Sequence, residues 1–149
     1  MAADAVRLGV VGLGGWGKNV VRSFGQAQHC EIACICDANA KSLETHSKLH
    51  PKARCTDSYE SLLSDTSVNA IALATPAPLH FEMAKAALLA GKHVYVEKPM
   101  TLNTPHAEEL VELADKTGLK LMVGHLLEYH PVVDMMKQRI DAGDLGRIC

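Results

Sequence analysis

The fold is decided by the stretch from Val6 to Gly17, which reads VRLGVVGLGGWG. Its first half is a nearly continuous apolar run, typical of a strand that is covered on both faces. Its second half matches G-x-G-x-x-G, whose glycines permit a tight turn, a close approach to a pyrophosphate, and tight helix–strand packing. Beyond it, Trp16, Val20 and Phe24 mark one stripe of a helix whose free N–H groups attract phosphate. We therefore expect this loop to bind a dinucleotide, with Trp16 packing on the helix and shielding the loop.

Short apolar runs alternate with amphipathic stretches along the rest of the chain. Strands are predicted over residues 6–11, 31–36, 53–55, 68–74, 93–96 and 119–123. Helices are predicted around residues 16–24, 41–49, 59–63, 79–90, 104–117 and 131–142. The fourth helix is expected to bury Leu79, Met83, Ala86 and Ala90, and Thr104 is expected to cap the fifth. This alternation implies an α/β fold: a doubly wound Rossmann-type parallel sheet with helices on both faces.

Composition narrows the class of protein. The 149 residues carry a formal net charge of −2, and 21% are charged with both signs interspersed, so there is no basic field for nucleic acid. The apolar runs are far shorter than the roughly 18 residues of a membrane span, and no secretory signal is visible. The cysteines lack the spacing of a zinc site, so we expect no metal and reduced thiols in a cytoplasmic protein. They are Cys30, Cys34, Cys36, Cys55 and Cys149.

Asp37 lies 20 residues beyond Gly17, at the end of the second predicted strand. A carboxylate there accepts hydrogen bonds from the hydroxyls of an adenosine ribose and repels the 2′-phosphate of NADP. No arginine follows it, so NAD is favoured over NADP. The alternative is that Asp37 only caps the helix that follows.

Glu97, Lys98 and Pro99 directly follow the predicted strand 93–96. Ligands of an open parallel sheet bind beyond the carboxyl ends of its strands, so these side chains are expected to face the cofactor. A lysine there can donate to a reacting oxygen and help its proton leave, and Glu97 can accept from the nicotinamide ribose. An exposed Glu-Lys pair before a rigid turn is the competing interpretation.

These motifs together resemble the Gfo/Idh/MocA family of oxidoreductases over nearly all of the chain. The resemblance is carried by the glycine loop, Asp37, Thr75-Pro76 with His80, Glu97-Lys98-Pro99, and Gly124-His125. It implies the N-terminal nucleotide-binding domain of an enzyme that transfers a hydride between a nicotinamide cofactor and a sugar, nucleotide-sugar or cyclitol hydroxyl. A non-catalytic module that binds or senses NAD(P) is the alternative function.

The resemblance also implies residue roles. Lys98 is the expected catalytic lysine. His80 has an alternative role in capping or packing, and Tyr59 lies either near the adenine or in the core. The expected cofactor-binding residues are Gly12, Leu13, Gly14, Gly15, Trp16, Gly17, Asp37, Thr75, Pro76, His80, Glu97 and Lys98.

The stretch 124–131 reads GHLLEYHP and bears on the substrate. The family often has an arginine-rich segment here, whereas this chain has Glu128 and His130. The pattern looks more like members that act on nucleotide-linked amino sugars, such as UDP-N-acetylglucosamine 3-dehydrogenases. His125, Glu128 and His130 are therefore the candidate substrate residues. A metal site on His125 and His130 is disfavoured, since no third ligand is fixed nearby.

Members of the family normally carry a second α/β domain that covers the nicotinamide. We expect residues 1–124 to form the dinucleotide-binding Rossmann domain, and residues 125–149 to form a linking helix and the start of that second, substrate domain. A chain cut short there is expected to bind NAD but to turn over sugar weakly. It is also expected to expose Val133, Met136 and Ile140 and to form homo-oligomers through them.

Overall fold

Strands and helices alternate through the computed structural model, which describes residues 5–147. The strands are β1 Val6–Val11, β2 Cys30–Cys36, β3 Arg54–Thr56, β4 Ala70–Leu73, β5 His93–Val96 and β6 Leu121–Val123. The helices are α1 Gly17–Gly25, α2 Ala40–Leu49, α3 Tyr59–Leu63, α4 His80–Leu89, α5 Thr104–Thr117 and α6 Pro131–Asp141. Single turns of 3₁₀ helix span Ala77–Leu79 and Leu126–Tyr129.

All six strands join one parallel sheet in the order β3-β2-β1-β4-β5-β6. The strand order reverses between β1 and β4, the place where ligands of such sheets bind. The pairing of β1 with β2 contains one irregularity, because Leu8 pairs with Ile32 whereas Gly9 pairs with Cys34. Ala33 is thus an extra residue in β2, a β-bulge.

Two apolar layers cover the two faces of the sheet. On one face α1 and α2 supply Val20, Val21 and the half-buried Leu43. On the other, α3, α4 and α5 contribute residues such as Leu62 and Leu110. Helices therefore pack on both faces, and the predicted doubly wound Rossmann-type sheet is confirmed.

The cysteines behave as small apolar residues in these layers. Cys34 and Cys36 are buried, and burial is the main cause that raises the pKa of the Cys36 thiol to about 12. Cys30 and Cys55 are half-buried free thiols, and Cys149 lies outside the described residues. Thiols with raised pKa values are poor nucleophiles and poor metal ligands at neutral pH.

Three local predictions are wrong. The buried face of α4 carries Phe81, Ala84, Ala87 and Leu88, whereas the predicted Leu79 is exposed in the 3₁₀ turn before the helix. The cap of α5 is Asn103, whose side chain accepts from the His106 amide at 2.9 Å, and Thr104 is the first helical residue. Trp16 is 50% exposed at the start of α1, so it does not pack in the helix stripe.

Candidate functional site

The glycine loop between β1 and α1 is pressed against the neighbouring strand. Gly12 has a φ of +89°, and a Cβ there would lie 2.8 Å from the carbonyl oxygen of Ala74. A Cβ on Gly17 would overlap the carbonyl oxygen of Gly12. Gly14 and Gly15, in contrast, face open space. The ends of the loop therefore require glycine for packing, while its middle leaves room for a ligand to approach the backbone.

Asp37 faces this loop from the end of β2. Its carboxylate accepts from the Leu13 amide at 2.5 Å and from the Asn39 amide at 2.7 Å. The cap of α2 is Asn39, whose side chain accepts from the amides of Lys41 and Ser42. Asp37 is thus not the cap of that helix, and its carboxylate lies against the glycine loop.

His80 joins the two loops that follow β4 and β5. Its Nδ1 lies 2.7 Å from the carbonyl oxygen of Pro99, and its Nε2 lies 2.8 Å from that of Thr75. Both partners are acceptors, and each ring nitrogen lies within hydrogen-bond distance of one of them. The side chain is only 1% exposed. His80 therefore holds the two loops from behind and does not line the cleft in front of them.

Glu97 is a buried carboxylate at the end of β5. It is 7% exposed; Oε1 accepts from the Tyr95 hydroxyl at 2.7 Å, and Oε2 accepts from the Lys98 amide at 3.3 Å. The Lys98–Pro99 peptide bond is cis. Lys98 is exposed, and its ammonium forms no ion pair with any residue in the described part of the chain. The lysine is therefore free to contact a ligand beside a fixed carboxylate.

A cavity of about 830 Å³ opens at this edge of the sheet, a size typical of small-molecule sites. It brings together six of the residues predicted from sequence and adds an apolar wall. Its lining residues are Trp16, Ala74, Thr75, Glu97, Lys98, Pro99, Gly124, His125, Leu126, Leu127 and Glu128.

Other predicted residues lie outside the cavity wall. Pro76, His80, Asp37 and the glycines of the loop do not line it. His130 caps α6, where its Nδ1 accepts from the Val132 amide at 3.2 Å. The hydroxyl of Tyr59 donates to the Met83 carbonyl at 2.7 Å, and its ring packs against the core, which agrees with the core alternative for Tyr59.

Sequence reasoning missed Tyr95 and the steric role of Gly124. A Cβ on Gly124 would lie 2.5 Å from the Tyr95 hydroxyl oxygen and 3.0 Å from Glu97 Oε2. Burial, followed by the hydrogen bond to Glu97, raises the pKa of the Tyr95 phenol. The spacing of Tyr95 and Glu97 was a usable signal, because residues two apart on a strand share a face.

Two further classes of site find no support. Among residues 5–147, no three histidine, cysteine or acidic side chains are grouped so as to hold a metal ion. Within the same range no helix combines the length and apolar character needed to cross a bilayer.

Comparison with known proteins places these features in a family. The family model described as "Oxidoreductase family, NAD-binding Rossmann fold" (GFO_IDH_MocA) matches residues 6–125. The UDP-N-acetylglucosamine 3-dehydrogenase of Acidithiobacillus ferrooxidans is 33% identical over 89% of this chain and 41% of its own length. The scyllo-inositol 2-dehydrogenase (NAD(+)) of Bacillus subtilis is 32% identical over 95% of this chain and 42% of its own length.

A solved structure agrees with the same assignment. The 3-ketoreductase from Actinomadura kijaniata, in complex with NADP and TDP-benzene, superposes with a TM-score of 0.87 at 28% identity. The match covers 93% of this chain and 43% of that one, so this chain spans less than half the length of these relatives. The predicted resemblance is confirmed, and the chain belongs to the Gfo/Idh/MocA family of oxidoreductases.

Proposed function

We propose that this chain is the cofactor-binding half of an NAD-dependent oxidoreductase that transfers a hydride between nicotinamide and a hydroxyl of a sugar, nucleotide sugar or cyclitol. The observation that carries the proposal is the unpaired Lys98 beside the buried Glu97 in a cleft at the glycine-loop edge of the sheet. Relatives named as dehydrogenases of UDP-N-acetylglucosamine and of scyllo-inositol support this substrate range.

The cofactor is assigned from the loop and its acid. The open middle of the loop, with the amides of Gly14 and Gly15, would bind the pyrophosphate, as helix N-termini bind anions. Asp37 would accept from the adenosine ribose with the lone pairs that its bonds to Leu13 and Asn39 leave free. A carboxylate there repels a 2′-phosphate, so NAD is the preferred cofactor.

The reacting end is assigned to the cleft. Lys98 would donate to the substrate oxygen and assist its proton transfer, with Glu97 beside the nicotinamide ribose. His125 and Glu128 line the same cleft and would face the substrate. His130 is committed to the cap of α6 and is left out of this assignment.

The remaining assignments concern the whole protein. We propose that residues 1–124 are the Rossmann domain and that residues 125–149 lead into a substrate domain, as the greater length of the relatives supports. The free thiols Cys30, Cys34, Cys36 and Cys55 favour the reducing cytoplasm as its location. The exposed apolar side chains of α6 favour a homo-oligomer.

Calorimetric titration of the chain with NADH and NADPH tests the cofactor site. We expect NADH to bind about tenfold more tightly, which corresponds to about 1.4 kcal/mol of charge repulsion. Asp37→Asn should weaken NADH binding and reduce the difference in affinity between NADH and NADPH. Asp115→Asn, on the exposed face of α5, should change neither affinity. Absence of binding by both dinucleotides would overturn the proposal.

A further inference from the structure

Tyr95 connects the cofactor helix to the reacting end of the cleft. Its ring meets Phe24 of α1 edge-on, with ring centroids 5.2 Å apart and planes at 80°. Its hydroxyl reaches past the end of β5 and donates to Glu97 Oε1 at 2.7 Å. The Phe24 contact fixes the ring, so the hydroxyl has little freedom to leave the carboxylate.

The Glu97 carboxylate is held a second time, by the backbone amide of Lys98. Its second oxygen accepts from the Lys98 amide at 3.3 Å, so the carboxylate is held at both oxygens. A buried carboxylate needs such donors, because burial without hydrogen bonds is costly. The orientation of Glu97 in the cleft wall is thus set by two donors, of which only the Tyr95 hydroxyl belongs to a side chain.

Gly124 makes the arrangement possible. It follows β6, the neighbour of β5, and its amide donates to the Val96 carbonyl at 2.8 Å. A methyl group at this position would lie within 2.5 Å of the Tyr95 hydroxyl oxygen. Any side chain at residue 124 therefore pushes against both the phenol and the carboxylate, so at least the phenol must shift.

We propose that Tyr95 is a positioning residue: its hydroxyl, with space provided by Gly124, holds the Glu97 carboxylate in the orientation that receives the nicotinamide half of the dinucleotide. This inference rests on the proposed function, which puts nicotinamide in the cleft beside Glu97. The phenol suits the task because it remains a donor at physiological pH. Its pKa is raised by burial and by the bond to Glu97.

The test compares two ligands on the 149-residue chain. NADH carries the nicotinamide and its ribose, whereas ADP carries only the adenosine and the two phosphates. Tyr95→Phe removes one hydrogen bond to a carboxylate, and we expect it to weaken NADH binding about 5- to 10-fold while the affinity for ADP stays within about twofold. Tyr59→Phe is the matched control, because it deletes a half-buried phenol hydroxyl that donates to a backbone carbonyl away from the cleft. It should change neither affinity.

A second variant tests the steric half of the proposal. Gly124→Ala should weaken NADH binding, and it should do so less in the Tyr95→Phe background, where the nearest clashing atom is absent. Unchanged NADH binding by Tyr95→Phe, equal weakening of both ligands, or full additivity of the two substitutions would overturn the positioning role. If the unaltered chain binds neither ligand, the proposed function itself fails.

Discussion

Lys98 is distinguished from the other lysines by its place in the wall of the cleft. Lys48, Lys85, Lys116 and Lys137 pair with acidic side chains, and the buried Lys92 donates to two backbone carbonyls. Lys98 instead stands exposed on the cleft with no ionic partner among the described residues. An exposed lysine in a cleft, next to a buried carboxylate, supports the proposed acid–base role of Lys98.

Replacing Lys98 therefore separates an enzyme from a sensing module. In a form of the protein that includes the substrate domain, Lys98→Ala should lower turnover roughly 100-fold or more, the usual share of a positioned proton donor. NAD affinity should stay nearly the same, and Lys116→Ala, a lysine paired on the surface of α5, should leave both unchanged. Steady-state kinetics and calorimetry measure the two quantities.

Each other outcome has a distinct meaning. A collapse of NAD affinity would assign the lysine to cofactor binding, whereas unchanged turnover would remove it from the reaction.

At this scale the sequence predicts residues whose chemistry is local. The glycine pattern is recognisable because it directly joins an apolar strand to a helix. Asp37 and the Glu97-Lys98 pair are recognisable because each directly follows an apolar strand. Tyr95 and Gly124 are 29 residues apart and meet only through the pairing of β5 with β6. The close contact at Gly124 depends on that register, which no local pattern contains.

At the scale of elements, His80 ties the start of α4 to the loops after β4 and β5. The two nitrogens of its buried ring lie within hydrogen-bond distance of the carbonyl oxygens of Thr75 and Pro99. His80→Ala leaves both without a partner and creates a cavity, so we expect a loss of about 2 to 4 kcal/mol in the free energy of unfolding. Urea denaturation measures it.

His80→Gln should recover part of this loss, since an amide keeps a donor. His106→Ala removes a half-buried histidine that stacks on Phe81, with ring centroids 3.7 Å apart, and should cost less. If His80→Ala unfolded at the same urea concentration as the unaltered chain, the bridging role of His80 would be contradicted.

The types of the elements could be predicted from the sequence. Which residues of a helix are buried, and which residue caps it, could not. Apolar runs and glycine stops place every strand and helix within a few residues of its position in the structure. Leu79, however, belongs to the 3₁₀ turn at Ala77–Leu79, and the face of α4 that packs in the core carries Phe81 and Ala84. Asn103 outcompetes Thr104 as a cap because its side chain reaches the His106 amide from outside the helix.

At the scale of the molecule, α6 stands out because every one of its residues is exposed. Apolar side chains are exposed along it and along the turn before it: Leu126, Leu127, Tyr129, Val132, Val133, Met135, Met136 and Ile140. A contiguous surface of this kind is unfavourable in water and promotes association. The small net charge of −2 offers little repulsion against it.

Light scattering of the 149-residue chain should therefore give an apparent mass that rises with concentration. Val133→Glu combined with Met136→Glu should lower that mass toward the monomer. Leu89→Glu, at a similarly exposed apolar residue on α4, should leave the mass as it is. A constant monomer over a wide concentration range would refute association through α6.

The β-bulge in β2 has a consequence for how length changes would be tolerated. The side chains of Ala33 and Cys34 both pack on the face of the sheet that α3, α4 and α5 cover. Those of Ile32 and Ile35 pack on the opposite face. At this point β2 thus has one residue more than its partner strand β1. Removing Ala33 would restore strict alternation and keep Asp37 turned toward the glycine loop. Removing Cys36 would instead turn the side chain of Asp37 to the other face of the sheet, away from the glycine loop. The middle of this strand would therefore tolerate the loss of a residue that its carboxyl end would not.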